Sequence, residues 1–144
     1  MKSKPSVLLA AAILSAILLV GCQSSQRPTL SAPEAYEQFQ ADALTLVDIR
    51  TPKEWRQTGV AEGALRIDMT SATFLNDLLS AVDGDKNAPI AIICRTGNRA
   101  TFIQRALMER GFTNVLNIKE GMTGSSAGPG WLRRGLPIEA CKTC

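Results

Sequence analysis

Apolar positions along the chain fall into short blocks punctuated by glycine, proline and charged residues, and the spacing inside the blocks alternates between helical and extended. Ser31 and Glu34 have the spacing of a capping box, and Tyr36 and Phe39 share one side of a short helix reaching about Ala41. Leu44 to Ile49 is an apolar run containing Asp48 near its end, which predicts a buried strand. Thr51, Pro52 and Glu54 then mark a second helix start, cut short by Gly59 soon after Trp55. Ala64 to Ile67 has the length of a brief strand. Ser71 to Val82 places Phe74, Leu75, Leu78, Leu79 and Val82 at helical spacing, and Gly84 stops it. Pro89 introduces Ile90-Ala91-Ile92-Ile93, the uninterrupted apolar run of a central parallel strand. A helix from Asn98 to about Arg110 follows, with Phe102, Ile103, Ala106 and Leu107 as its buried stripe and Gly111 at its end. Val115 to Ile118 is another strand, and Gly121 to Gly135 is a glycine- and serine-rich loop or short helix around Trp131. Strands alternating with helices predict an α/β fold, a mostly parallel central sheet with helices on both faces.

The N-terminus departs from this pattern. Lys2 and Lys4 precede the apolar run Val7 to Val20, broken only by Ser15. A spanning helix needs about 20 apolar residues, so this run has the length of a secretory h-region. Leu19-Val20-Gly21-Cys22 resembles a bacterial lipobox. That resemblance implies cleavage before Cys22 and lipid on its sulfur and amine, several acyl chains holding far more firmly than one. An uncleaved anchor helix with an incidental cysteine is the plainer alternative. The chain then divides into a signal peptide (1–21), a lipidated cysteine and polar tether (22–31), a domain (32–138) and a tail (139–144). The expected location is the bacterial cell envelope, lipid-anchored to a membrane outside the cytoplasm. Gln23 after Cys22 resembles the outer-membrane class facing the periplasm, should the host be Gram-negative.

Composition narrows the function classes. The 144 residues suffice for one domain with a real core. Cleavage would take two of the 16 basic residues and lower the formal net charge from +3 to +1. With no basic block either, there is no electrostatic case for nucleic acid. Histidine is absent, so no histidine serves as base or ligand, and neither a metal nor a cofactor is expected.

Cysteine arithmetic singles out one residue. With Cys22 taken by lipid, Cys141 and Cys144 form a Cys-x-x-Cys pair able to close on itself, leaving Cys94 odd. Cys94 stands where a buried strand gives way to a helix, the end of an α/β sheet where ligands bind. Gly97 permits a tight turn that aims backbone amides inward, the helix adds its positive end, and Arg95 and Arg99 flank the sulfur. These features favour a thiolate. The plainer reading is a small buried residue closing a strand, but two arginines and a glycine in the next five positions make a poor hydrophobic plug.

The loop Cys94-Arg95-Thr96-Gly97-Asn98-Arg99 resembles the active-site loop of the rhodanese family, single-domain sulfurtransferases. The resemblance runs from about Pro33 to Pro137. It includes Leu46-Val47-Asp48-Ile49-Arg50 with Pro52, Glu54 and Trp55, then Gly63-Ala64, Gly111-Phe112, Val115-Leu116, Gly121-Met122, Trp131 and Gly135-Leu136-Pro137. It implies that Cys94 takes sulfane sulfur from a small donor such as thiosulfate and passes it, through a persulfide, to cyanide or a thiol. Amides of Arg95, Thr96, Gly97, Asn98 and Arg99 would cradle the persulfide, and the two arginines would steer an anionic donor. Asp48 and Arg50 are expected to support the site by hydrogen bonds or to hold the structure. Two departures stand out. Many members carry Gly-His after the tryptophan, where this chain reads Thr58-Gly59-Val60-Ala61-Glu62-Gly63, and Met122 to Gly130 is longer than a minimal family turn. Without histidine, any chemistry relies on a pre-formed thiolate.

Two rivals remain at this point. Cysteine-dependent phosphatases have five residues between cysteine and arginine, whereas Cys94 and Arg99 have four between them, a narrower nest that suits one sulfur better than a phosphate. A lipid-tethered binding or sensory module without turnover is the other. For Cys141 and Cys144 the simplest expectation is an untied tail oxidised to a local disulfide, and the sharper one a resolving dithiol that collects sulfur from Cys94 or recycles it by thiol-disulfide exchange. Zinc is disfavoured, because one such pair supplies only two ligands.

Overall fold

In the computed structural model, which describes residues 28–144, the elements follow in the order β1 (Thr29–Leu30), α1 (Ala32–Gln40), β2 (Thr45–Asp48), α2 (Pro52–Thr58), β3 (Val60–Ala61), β4 (Leu65–Arg66), α3 (Phe74–Ala81), β5 (Ile90–Ile93), α4 (Asn98–Met108), β6 (Val115–Ile118), α5 (Gly130–Arg133) and β7 (Ile138–Glu139). The expected signal peptide, the lipid site Cys22 and residues 23–27 of the expected tether lie outside the described residues. No helix among the described residues is long and apolar enough to cross a membrane.

Five strands form an all-parallel sheet in the order β1-β6-β5-β2-β4, while β3 and β7 pair antiparallel as a separate ribbon. Strand β5 is central because its apolar run can be buried on both faces. Ile90 and Ile92 pack with Leu78 of α3 and Ile103 and Leu107 of α4, whereas Ala91 and Ile93 face Ala32 and Ala35 of α1 and Trp131 of α5. None of these four β5 residues keeps any accessible surface, and each large side chain so buried is worth about 1.5–3 kcal/mol. The helices therefore cover both faces, as the alternating pattern predicts.

Both predicted caps form. Ser31 and Glu34 exchange bonds, Ser31 N–H donating to Glu34 Oε2 at 2.8 Å, and Thr51 N–H donates to Glu54 Oε2 at 3.1 Å at the start of α2. The Ser31 amide, and then its hydroxyl, hold the Glu34 carboxyl below its ordinary range.

Three expectations need correction. The tether does not extend to residue 31: Thr29 and Leu30 are β1, in register with Asn117 and Ile118 on the sheet edge. Gln104 fastens that edge from α4, donating to the carbonyls of Pro28 at 2.8 Å and Val115 at 2.7 Å. The buried stripe of α4 is Ala100, Ile103, Gln104 and Leu107, and Phe102 is 67% exposed. At about 100° per residue, Phe102 falls outside the arc that Gln104's bonds turn toward the sheet. Nor is the tail untied. Glu139 pairs with Val60, Cys141 is buried against Trp55 and Val60, and the Arg56 guanidinium holds the Cys144 carbonyl.

The topology locates the functional end. From β2 the chain goes to β4 on one side, and from β5 to β6 on the other, so the carboxyl ends of β2 and β5 flank a switch point. Crevices at such points are where open α/β sheets bind ligands. Asp48 and Ile93 close these strands in mutual register.

Candidate active site

Cys94 follows β5 directly and is wholly buried; it is the one free cysteine among the described residues. Its Sγ accepts the amide N–H of Gly97 at 3.1 Å and of Ala100 at 3.4 Å, the second from the first turn of α4. A buried sulfur that receives two backbone N–H groups is in a setting built for negative charge. The amides found on the sulfur are thus 97 and 100, where the sequence pointed to 95–99. Ala100 carries no chemical signal of its own, since only its backbone takes part.

Gly97 makes the turn possible. It adopts φ +86°, and a Cβ there would lie 2.1 Å from the Lys119 carbonyl oxygen. Its own carbonyl accepts Thr101 N–H at 3.0 Å and the Asn117 side-chain amide at 3.3 Å, locking loop to helix and to β6. From the other side, Met122 N–H donates to the Cys94 carbonyl at 2.9 Å and Thr123 N–H to the Arg95 carbonyl at 2.9 Å. The segment after β6, longer than a minimal turn, therefore braces the reactive loop. Thr96 is half-buried and Asn98 exposed; neither side chain hydrogen-bonds the sulfur.

The two flanking arginines differ. Arg95 is exposed, while Arg99 is clasped by both oxygens of Glu54, its Nη1 donating to Oε2 at 2.8 Å and its Nη2 bonding Oε1. The Arg99 bonds hold the Glu54 carboxyl at about 2, below its ordinary 4.5, against burial acting the other way, with Thr51 contributing in the same direction as Arg99. Arg99 is raised in turn by the bonds and the charge of Glu54, against burial acting the other way. Its guanidinium is thus already partnered, where the resemblance implies that it helps to steer an anionic donor. Glu54 is the site residue that sequence reading credited only with a helix cap; its second role depends on a residue 45 positions away.

Asp48 and Arg50 are brought together but not onto the sulfur. Arg50 Nη2 donates to Asp48 Oδ2 at 2.7 Å and to the Gly59 carbonyl at 2.8 Å, and Nη1 donates to Thr58 Oγ1 at 2.7 Å. Both side chains are essentially without exposure. Between the two expected roles, the geometry selects the structural one, a charged rivet joining the end of β2 to the end of α2. A comparable device that sequence reading missed is buried Glu120, which accepts the amides of Ala32 and Gly130 at 2.7 Å each and Arg134 Nε at 2.8 Å. Burial pushes its carboxyl up, but Arg134 and the two amides outweigh that and hold it low.

Cys141 and Cys144 are joined as a disulfide. Among the described residues, no three His, Cys, Asp or Glu side chains are grouped to hold a metal ion. A groove of about 610 Å³ lies between α3 and α4, lined among others by Met69, Phe74, Leu75, Phe102 and Ala106, but no residue of Cys94–Arg99 lines it.

Comparison with known proteins shows the family and the fold. A family model described as Rhodanese-like domain matches residues 31–127. A sulfurtransferase of Allochromatium vinosum is 35% identical over 109 residues, covering 74% of this chain and 91% of that protein. Among solved structures, the polysulfide-sulfur transferase homodimer of Wolinella succinogenes is similar with a TM-score of 0.62 and 28% identity over 78% of each chain. The Mycobacterium tuberculosis protein Rv0390 shares the fold, with a TM-score of 0.63 and 23% identity over 81% of this chain and all of that one.

Proposed function

The chain belongs to the rhodanese-like domain family, and from that premise we propose that it is a sulfurtransferase working through a persulfide on Cys94. Relatives named as sulfurtransferases support the general activity. The observation that carries the mechanism is the pair of amides, Gly97 and Ala100, directed at the buried sulfur. Cys94 thiolate attacks the outer sulfur of a sulfane donor such as thiosulfate. A new sulfur–sulfur bond forms, the donor's own breaks, and sulfite leaves with its electron pair. The persulfide anion inherits the N–H donors that held the thiolate, at no reorganisation cost. Cyanide or an acceptor thiolate then attacks the outer sulfur, leaving as thiocyanate or as a new persulfide, and Cys94 returns as thiolate. No proton transfer is required of the protein, which suits a chain without histidine.

Phosphate chemistry is disfavoured by the same geometry. A phosphatase needs its loop arginine free to clasp phosphate oxygens, and here Glu54 occupies Arg99. The deciding experiment incubates the purified full chain with thiosulfate and reads intact mass, then adds cyanide and reads thiocyanate formation. One added sulfur on Cys94, with both signals lost in Cys94→Ser, is expected. Absence of both with several sulfane donors would leave a binding module as the better reading.

We also propose the lipid anchor on Cys22, on the strength of the basic head, the apolar run and Leu19-Val20-Gly21-Cys22. Intact mass of the protein extracted from its native membrane tests it, the unlipidated full-length mass being the adverse outcome.

A further inference from the structure

The surroundings of Cys141 and Cys144 are not those of an inert staple. Arg66, which ends β4 in register with Asp48, carries its Nη1 to 2.9 Å from Cys141 Sγ and 3.4 Å from Cys144 Sγ. A neutral disulfide gains little from a guanidinium, whereas a thiolate in the same place gains a full charge-assisted bond. Trp55 and Val60 pack with Cys141 in one small buried cluster. A thiolate at Cys141 would offer the Arg66 guanidinium what the disulfide does not.

The two sulfurs also differ in access. Cys141 is 5% exposed, while Cys144 is only half-buried. The accessible sulfur is the one a nucleophile reaches, and the sulfur nearer Arg66 is the one that must leave.

We propose that Cys141 and Cys144 form a second reactive site, a redox-active pair that exchanges its disulfide with external dithiols, Arg66 receiving the departing thiolate of Cys141. A thiolate of the reductant attacks Cys144 Sγ. A mixed disulfide forms there, the Cys141–Cys144 bond breaks, and its electron pair leaves on Cys141 beside Arg66. The second thiol of the reductant gives its proton to solvent and attacks the mixed disulfide, expelling Cys144, which takes up a proton. The pair gains two electrons and the dithiol becomes a disulfide. A leaving thiol that ionises readily departs faster and makes the disulfide more oxidising. This site goes beyond sulfur transfer at Cys94 and does not rest on it.

The test uses the full chain carrying Cys22→Ser and Cys94→Ser, so that only this pair bears thiols. It is equilibrated in glutathione buffers of graded ratio, and the reduced fraction is read by alkylation and mass spectrometry. The pair is expected to be reduced within the glutathione range, which structural disulfides resist. Arg66→Gln should lower the equilibrium constant for reduction by about tenfold, about 30 mV for a two-electron couple, and Arg66→Lys should restore most of it. A disulfide that stays closed throughout the glutathione range, or an unchanged constant in Arg66→Gln, overturns the proposal. Should Arg66→Gln fail to fold, titrating the reduced pair by thiolate absorbance decides instead. One thiol ionising well below about 8.5 supports the site, and two ordinary thiols overturn it.

Discussion

Replacing Gly97 with alanine tests the geometry of the reactive loop most directly. At φ +86° an alanine enters the left-handed region, at a cost of about 1–2 kcal/mol. Its Cβ would stand 2.1 Å from the Lys119 carbonyl oxygen and 2.8 Å from the carbonyl carbon. Relief requires the two backbones to part by roughly 1 Å. Lys119 cannot yield freely, because its N–H donates to Leu30 at 3.2 Å and the following turn is pinned by Gly121 N–H on Ile118 and Met122 N–H on Cys94, each at 2.9 Å. Distorting one or two such bonds adds about 1 kcal/mol apiece, for a total of about 3 kcal/mol. Gly84 is the matched control: its φ is +78°, and a Cβ there would meet nothing within 4 Å, leaving only the conformational cost. For a domain of this size about 1 kcal/mol moves the midpoint by about 4 °C, so Gly97→Ala should melt about 12 °C below wild type and Gly84→Ala about 5 °C below. The same displacement misaligns the Gly97 N–H on Cys94 Sγ, so persulfide formation from thiosulfate should slow by more than about tenfold in Gly97→Ala and remain unchanged in Gly84→Ala. If the two variants melt together, or if Gly97→Ala melts low yet acquires sulfur at the wild-type rate, the reasoning is wrong.

Other consequences follow from the charged pairs. Asp48→Ala leaves the Arg50 guanidinium buried without its carboxylate and should cost about 3–5 kcal/mol in urea unfolding, with Asp48→Ala/Arg50→Met recovering part of the loss. Glu54 sits at about 2 in the folded protein against an ordinary 4.5, so its stabilisation is complete above about pH 4.5 and is lost as the pH falls toward 2. Because the pair is partly exposed, this amounts to about 1 kcal/mol, and Glu54→Gln should flatten that part of the acid stability profile. Glu120→Gln keeps the shape of the side chain but removes the charge shared by two amides and Arg134; a loss of about 2–3 kcal/mol by thermal melting is expected, and wild-type stability would contradict the role assigned to it.

How legible each feature is in the sequence depends on where its partner lies. Strand β5 and the cap of α1 could be read directly, because the run Ile90–Ile93 and the Ser31–Glu34 spacing each carry their own explanation within a few residues. Two-residue strands carry none. Val60 and Ala61 become β3 only because Ile138 and Glu139 arrive from the far end of the chain, and the tail that looked untied is tied by that pairing. Phe102 has the apolar character of a buried-stripe residue, but the polar Gln104 turns inward instead because two distant carbonyls accept its side chain. Cys94 itself was visible from its neighbours, but the amide of Ala100 was not, since a backbone donor leaves no mark on residue type.

Glu54 links the cap of α2 to the reactive loop. One oxygen takes the Thr51 amide and Arg99 Nη1, and the other takes Arg99 Nη2, so the residue that starts α2 also fixes the arginine beside the reactive loop. Its carboxylate cancels the charge of Arg99, and what remains directed at the sulfur is chiefly backbone: two amides and the positive end of α4. Backbone donors hold a small anion such as a persulfide without discriminating among the molecules that delivered it. On the proposed mechanism Arg95, exposed and outside the ion pairs of the described residues, is the arginine of the Cys94–Arg99 loop left free to meet an anionic donor. Donor preference should accordingly respond to Arg95→Ala through KM for a charged donor with little change in kcat, whereas disturbing Glu54 should act on kcat by releasing Arg99 toward the sulfur.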